Sequence, residues 1–388
     1  MAKKQLTVFC NYYLGGVANF HRNILSNDKE ALFDKRIIFL HWEELDFSLL
    51  PAKFGIADET VLEIRKYNTP LETAQLIHTA IKRQGVFVTN FGAELTSLHF
   101  FPQKQSVVIY VCHDELYVAN AKRFSFLIDK FIAHNPHFFA ELKKQLPGRA
   151  ADIHYIPYGI EIADHSKSSN QLVTLNIVWL ARLDKLKGIY HLPDIDDLLK
   201  KQNIEVNWTI IGDGPEKDTF RKLVSDRNNF VHHSTPDQQA VQALLKNQDI
   251  FILPSRLDGL PLAMLETMSM GIVPVMFEFN PGIKNIVTAD TGFVVPLGDT
   301  TAMAEAIVQL HADRSLMEKI GQAAKAKVLA EYDIKVQAKK YFDFFLQSNP
   351  SESKGKWIPV WKMHGKEYHP LIPSFIVSLY RKFRKKFA

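Results

Sequence analysis

Cysteine is nearly absent from this chain: its 388 residues include two, Cys10 and Cys112. Two thiols cannot build a disulfide framework, and both lie inside strand-like apolar runs, which is the usage of a reducing compartment. Long uncharged apolar runs are missing too, and none approaches the ~18 residues that a membrane-spanning helix needs. Met1-Ala2-Lys3-Lys4-Gln5 leads into an apolar run too short for a secretory core, so the cytoplasm is the expected location. Nor does one charge dominate. Lys+Arg of 47 against Asp+Glu of 42 leaves a net charge of +5, too little to argue for nucleic acid as a partner. Short-period repeats and low-complexity tracts are absent. What remains is ordinary globular material, 46% hydrophobic and 23% charged, long enough for two domains.

Apolar runs alternate with helix-length segments throughout. In the first half the expected strands are Leu6–Tyr12, Arg36–His41, Val86–Thr89, Val107–Cys112, Phe131–His134 and a short one at His154–Pro157. In the second half they are Asn176–Ala181, Trp208–Ile211, Phe230–His232, Ile250–Leu253, Val273–Met276 and Gly292–Val295. This rhythm predicts an α/β fold of parallel sheets with crossover helices. The polar, aperiodic stretch from Asp164 to Gln171 reads as a linker. The expected organisation is a first domain over 1–165, a second over 166–345 and a tail over 346–388.

The most informative segment runs from Ser255 to Glu266. It follows the buried strand Ile250–Leu253, turns through Gly259-Leu260-Pro261 and opens a helix near Pro261. Such a turn leaves backbone N–H groups and a positive dipole end in position for a phosphate. Asp258 stands before the helix and Glu266 about one and a half turns inside it. The alternative is bland: Asp258 as a helix cap and Glu266 as an exposed helical acid.

This segment resembles the signature of family four of the retaining glycosyltransferases, Glu, seven residues, Glu, within a Ser-x-x-Glu-Gly-x-Pro frame. Asp258 replaces the first Glu. The resemblance covers essentially Leu175 to Val336 and is looser in the first domain. It implies the GT-B architecture, two doubly wound Rossmann-like domains facing a central cleft. It also implies that Asp258 contacts the donor sugar and Glu266 the ribose hydroxyls, while Gly259, Leu260, Pro261 and Leu262 supply the diphosphate-binding turn.

Other residues extend the pattern. Arg182, five residues and then Lys187-Gly188 matches the family's diphosphate site. A pyrophosphate leaving group needs positive charge as the glycosidic bond breaks, and Arg182 offers a planar fork where Lys187 offers a point charge. Gly212-Asp213-Gly214-Pro215 resembles the family's Gly-x-Gly-Pro turn, and His233-Ser234-Thr235-Pro236 occupies its nucleobase position. In the first domain, Gly15 and Gly16 follow the first strand; in the family this loop touches the donor phosphate and shapes the acceptor site, and the alternative is a tight turn. His113 ends a strand, where open α/β sheets bind ligands; it reads as a contact to the donor sugar or as a structural residue. His134 is a weaker candidate. Asp194-Ile195-Asp196 has the form of a metal motif from a different transferase fold, yet it falls in a first helical turn, where acids favour the dipole. Lys284-Asn285 replaces the family's Pro-Glu, which points to a change in the sugar accepted.

The segment Ser374–Phe387 is acid-free, basic and aromatic. It suits an interfacial helix on anionic lipid, and equally a final helix that packs back on the first domain.

The resemblance thus implies transfer of a sugar from a nucleoside-diphosphate sugar, a UDP-sugar first among them, to an acceptor hydroxyl with retention at the anomeric carbon. The acceptor expected is a glycan or lipid-linked glycan of surface polysaccharide biosynthesis. No side chain stands out as a covalent nucleophile, and the family's usual proposal is same-face attack with the leaving phosphate taking the acceptor's proton. Neither a metal nor another cofactor is expected. Two alternatives remain, a sugar-nucleotide epimerase and a non-catalytic GT-B partner subunit.

Overall fold

The computed structural model describes residues 3–12, 15–43, 54–55, 58–162, 174–235, 237–352, 354, 356–359, 371–372 and 376. The chain divides into two compact units, Met1–Ile156 with Ala338–Ala388, and Pro157–Gln337. Among the expected features, the linker at Asp164–Gln171, Pro236 and Ser374–Phe387 apart from Ile376 lie outside the described residues.

The first unit carries seven strands, β1 (Lys4–Asn11), β2 (Phe33–Trp42), β3 (Asp58–Ile64), β4 (Val86–Thr89), β5 (Val107–Cys112), β6 (Lys130–Ala133) and β7 (Ile153–Tyr155). They form one sheet in the order β3-β2-β1-β4-β5-β6-β7, parallel throughout. Helices α1 (Gly16–Ser26), α2 (Pro70–Ala80), α3 (Gly92–Phe100), α4 (Glu115–Arg123) and α5 (Pro136–Gln145) connect them. β4 and β5 are buried along their whole length, as strands covered on both faces must be.

The sequence reading did not include β3. Its acids and its alternating exposure are those of an edge strand, and its anchor comes from a distant residue. Arg36 on β2, only 3% exposed, binds the Asp58 carboxylate and the Thr60 hydroxyl.

The second unit repeats the plan with β8 (Leu175–Leu180), β9 (Val206–Ile211), β10 (Phe230–His233), β11 (Ile250–Leu253), β12 (Val273–Phe277) and β13 (Phe293–Val295). Their order is β10-β9-β8-β11-β12-β13, again all parallel. The helices are α6 (His191–Lys200), α7 (Lys217–Leu223), α8 (Gln238–Leu245), α9 (Leu262–Ser269), α10 (Thr300–Ala312) and α11 (Arg314–Glu331). Trp179, Trp208, Phe220 and Phe277 fill the core. In each sheet the strand order reverses beside the first strand, between β1 and β4 and between β8 and β11. Loops leaving the carboxyl ends of such strand pairs diverge and open a crevice.

The Asp-x-Asp segment lies in α6 and serves the core. Asp196, 1% exposed, accepts hydrogen bonds at Oδ1 from Trp208 Nε1 and Asn229 Nδ2, both at 2.8 Å. At Oδ2 it meets Arg227 at 2.9 Å and Lys200 at 2.8 Å. Its oxygens tie α6 to β9 and to the turn that precedes β10.

The last helix, α12 (Ile334–Gln347), starts in the second unit and continues in the first. Tyr341, Phe342 and Phe345 are buried, the latter two against Phe33. Beyond it Ser351, Lys354 and Trp357 pack on the first unit. The fully buried Asp129 accepts Ser351 N and Lys354 Nζ, both at 2.7 Å, and Val108 N at 2.8 Å. Trp357 lies edge-on against His99 and Phe126. Packing is therefore the role of this part of the tail.

Candidate functional site

In the second unit the loops after β8 and β11 flank the strand-order reversal. The first carries Arg182 and Lys187. The other carries the stretch from Ser255 to Pro261.

The loop after β8 is held from below by two glycines. Gly212 and Gly214 have positive φ, and a Cβ on either would stand 2.0 Å from the Ala181 carbonyl oxygen or 2.4 Å from that of Leu183. Leu183 N also donates to Asp213 O at 2.9 Å. Gly212 is thus packed under the Arg182 loop and supports it. Asp184 starts a short 3₁₀ turn by accepting Leu186 N at 2.9 Å, and its other oxygen takes Arg182 Nη2 at 2.6 Å. Burial raises the Asp184 pKa, but these bonds and the neighbouring cations outweigh it and hold the carboxyl below its usual value. Arg182 is half exposed, its guanidinium oriented by Asp184.

The two loops are stitched together. The buried Ser255 hydroxyl lies 3.0 Å from both Leu186 O and Leu257 O, and Arg256 N donates to Leu186 O at 2.8 Å. Lys187 Nζ meets Asp258 Oδ2 at 2.5 Å. Asp258 Oδ1 accepts its neighbour's amide, Gly259 N, at 3.1 Å. The helix cap of α9 is Pro261, with no side-chain bond, so Asp258 does not cap it. Gly259, Leu260, Pro261 and Leu262 form the buried approach to that helix end, and Glu266 is half-buried on its second turn.

Asn280, between β12 and a short 3₁₀ turn, was not singled out from the sequence. Its Nδ2 donates to the carbonyls of Asp258 at 2.9 Å and Gly259 at 3.1 Å, fixing both peptides. The only local signal was an Asn before Pro281, which reads as an ordinary turn. Lys284 pairs with Glu278 at 2.7 Å. The expected nucleobase loop borders a cavity of about 540 Å³ between His232–Thr235 and Ala240, Ala243 and Leu244 of α8. In this loop the Ser234 hydroxyl binds the Asp213 carboxylate.

In the first unit, Gly15 is the N-cap of α1 without a side-chain bond, and space around the Gly16 Cα is open. His113 ends β5 inside a cluster that local sequence does not reveal. Asn90, after β4, donates from Nδ2 to Phe9 O at 2.7 Å, which turns Oδ1 toward two histidines. His113 Nε2 lies 2.7 Å and His21 Nε2 3.1 Å from that oxygen, so both rings donate there. His134 lies 5.0 Å from His113, centroid to centroid, and 2.7 Å from the Tyr341 hydroxyl. All three rings are buried. Burial first, and the neighbouring rings second, hold His113 well below the usual histidine range. Burial puts His21 at about 4 and His134 at about 3. The buried Glu94 accepts Asn90 N and Phe91 N at Oε1; burial raises its pKa against those bonds.

Residues 163–327 match the family model described as Glycosyl transferases group 1. A putative colanic acid biosynthesis glycosyltransferase of Escherichia coli K12 is 31% identical over 176 residues, 42% of either chain. An amylovoran biosynthesis glycosyltransferase of Erwinia amylovora is 28% identical over 169 residues, 41% of either chain. The chain therefore spans less than half the length of these curated relatives. Among solved structures, Anabaena HepE in complex with UDP and glucose superposes with a TM-score of 0.69, at 15% identity, over 89% of this chain and all of that one. That likeness is one of fold, the GT-B architecture.

Proposed function

We propose that this chain, whose residues 163–327 match the family model described as Glycosyl transferases group 1, moves a sugar from a nucleoside-diphosphate sugar to an acceptor hydroxyl, with retention at the anomeric carbon. The observation that carries this reading is the convergence of Lys187, Asp258 and the α9 N-terminus at the β8/β11 strand reversal. Cations and an uncapped helix end suit a diphosphate, and a carboxylate beside them suits sugar hydroxyls.

In this reading Arg182 and Lys187 hold the diphosphate and neutralise the charge that grows on it as the glycosidic bond breaks. The α9 amides contribute the helix dipole. Glu266 holds the ribose hydroxyls and Asp258 the sugar. The cavity beside His232–Thr235 receives the base, uracil in first place. The part of the first unit falls to Gly15, Gly16 and His113, the last fixed as a neutral Nε2–H ring. The acceptor attacks from the face that the leaving phosphate vacates and gives its proton to that phosphate, so neither a covalent enzyme intermediate nor a metal is invoked. The relatives' names support surface polysaccharide synthesis as the setting, and the basic, aromatic Ser374–Phe387 supports an acceptor met at an anionic membrane face. Removing Ser374–Ala388 then weakens binding to anionic vesicles; equal binding by the truncated protein would end the membrane proposal.

The test is thermal unfolding with excess UDP, GDP, ADP or CMP on wild type and Lys187→Ala. A ligand at ~100 times its Kd adds about 2.7 kcal/mol. One nucleotide should raise the wild-type midpoint by several degrees and the variant's by much less. A midpoint that no nucleotide moves would overturn the reading.

A further inference from the structure

We infer that Asp258 is the internal counter-ion of the diphosphate seat, and that its displacement by the donor's phosphate delivers it to the sugar. The inference rests on the reading above and assigns Asp258 a role that sugar contact alone does not include.

The geometry is that of an anion already bound. One oxygen of Asp258 lies 2.5 Å from Lys187 Nζ and the other 3.1 Å from Gly259 N. Lys187 and that amide are the groups assigned to a phosphate oxygen. The pair is largely withdrawn from water, with 27% of the Lys187 side chain and 16% of the Asp258 side chain exposed. Solvent therefore screens it less than a surface pair.

The arrangement is also built to let go. Asn280 pins the carbonyls of Asp258 and Gly259, so the backbone stays in place while the carboxylate moves. Rotation about χ1 alone swings the carboxylate off Lys187. Asp184 is held more firmly, by the 2.9 Å bond from Leu186 N that starts its 3₁₀ turn, against the longer 3.1 Å bond of Asp258 to its neighbour's amide; it orients Arg182 and remains in its own turn.

The consequence is discrimination. A nucleoside diphosphate without a sugar displaces Asp258 and gives nothing back, whereas a nucleotide-sugar offers hydroxyls to the released carboxylate. After transfer, the freed nucleotide again competes with Asp258 for Lys187, which favours its release.

Calorimetric titration of UDP and GDP into wild type, Asp258→Asn, Lys187→Gln and the double variant tests this. Asp258→Asn should bind its preferred nucleotide roughly three- to tenfold more tightly than wild type, although transfer falls. In the Lys187→Gln background the same substitution should give little or no gain. Asp258→Ser, which keeps a short acceptor without the charge, repeats the sign should the asparagine variant fold poorly. If wild type binds and removal of the charge leaves affinity unchanged or weaker, the counter-ion role is overturned and the functional reading stands. A gain that persists undiminished without Lys187 overturns it too, since general repulsion then explains the effect. No binding by wild type or any variant overturns both readings.

Discussion

The Cα of Gly188 faces the carbonyl of Pro254 so closely that an added Cβ would stand 1.8 Å from its oxygen. Gly188 also has a φ of +75°. It closes the loop carrying Lys187, and Pro254 begins the loop carrying Asp258, so this contact, with the Ser255 and Arg256 bonds to Leu186 O, holds the two charged groups close. Gly188→Ala should cost about 2–4 kcal/mol through left-handed strain and overpacking. Urea unfolding reads the loss, and titration should show weakened nucleotide binding in the fraction that stays folded. Wild-type affinity in that variant would mean that the contact does not position Lys187.

Arg182 and Glu266 separate by what each variant loses. Arg182→Ala should lower turnover about 10²-fold or more, the scale of one lost charge-stabilising donor, with little change in the unfolding midpoint because its partner Asp184 keeps its bond to Leu186 N. Glu266→Ala should weaken binding of the nucleotide itself. Full activity without Arg182, or unchanged affinity without Glu266, removes the respective role.

Asp196→Ala should be destabilising by about 3–5 kcal/mol, as expected when one acid is removed from buried cations and donors. Nucleotide affinity below the unfolding transition should stay at the wild-type value. Normal stability with lost activity would make this acid a ligand group instead.

Acid should weaken the first unit through His21, His113 and His134. Their folded pKa values lie below the ordinary value near 6.5. The unfolded chain therefore takes up protons that the folded rings refuse. The stability is fully present above about pH 6.5 and falls by about 1.4 kcal/mol per pH unit for each ring as pH drops. For His21 the loss runs to about pH 4 and for His134 to about pH 3. Unfolding midpoints between pH 7.5 and 5 should fall steeply, and less steeply in His21→Asn, the ring whose Nε2 bond to Asn90 is longer. Identical slopes would exclude His21 from the effect.

Much of the second unit was legible because its determinants are local. Ile250–Leu253, the Gly-Leu-Pro turn and the helix after it occupy one continuous stretch, and the strand is fully buried as its composition requires. Val86–Thr89 and Val107–Cys112 are strands at their expected bounds for the same reason. Residues joined by distant contacts were not legible. Asn280 meets Asp258 across 22 positions and Asn90 meets His113 across 23, and nothing near Asn280 or Asn90 distinguishes it from an ordinary turn or core residue. β3 was hidden because an acidic edge strand owes its place to Arg36, not to its own apolarity.

Asp129 also bears on the order in which the molecule is made. Residues that satisfy this buried acid, Ser351 and Lys354, come more than two hundred positions after it. A ribosome therefore completes Pro157–Gln337, an uninterrupted unit, before it has supplied the parts that finish the first one. The half synthesised first is the half that must wait. A fragment ending at Ile156 would carry an exposed flank where α12 belongs and a buried acid that keeps Val108 N but lacks Ser351 and Lys354. Vectorial synthesis thus favours the second unit as the earlier to settle, with the first sealed last.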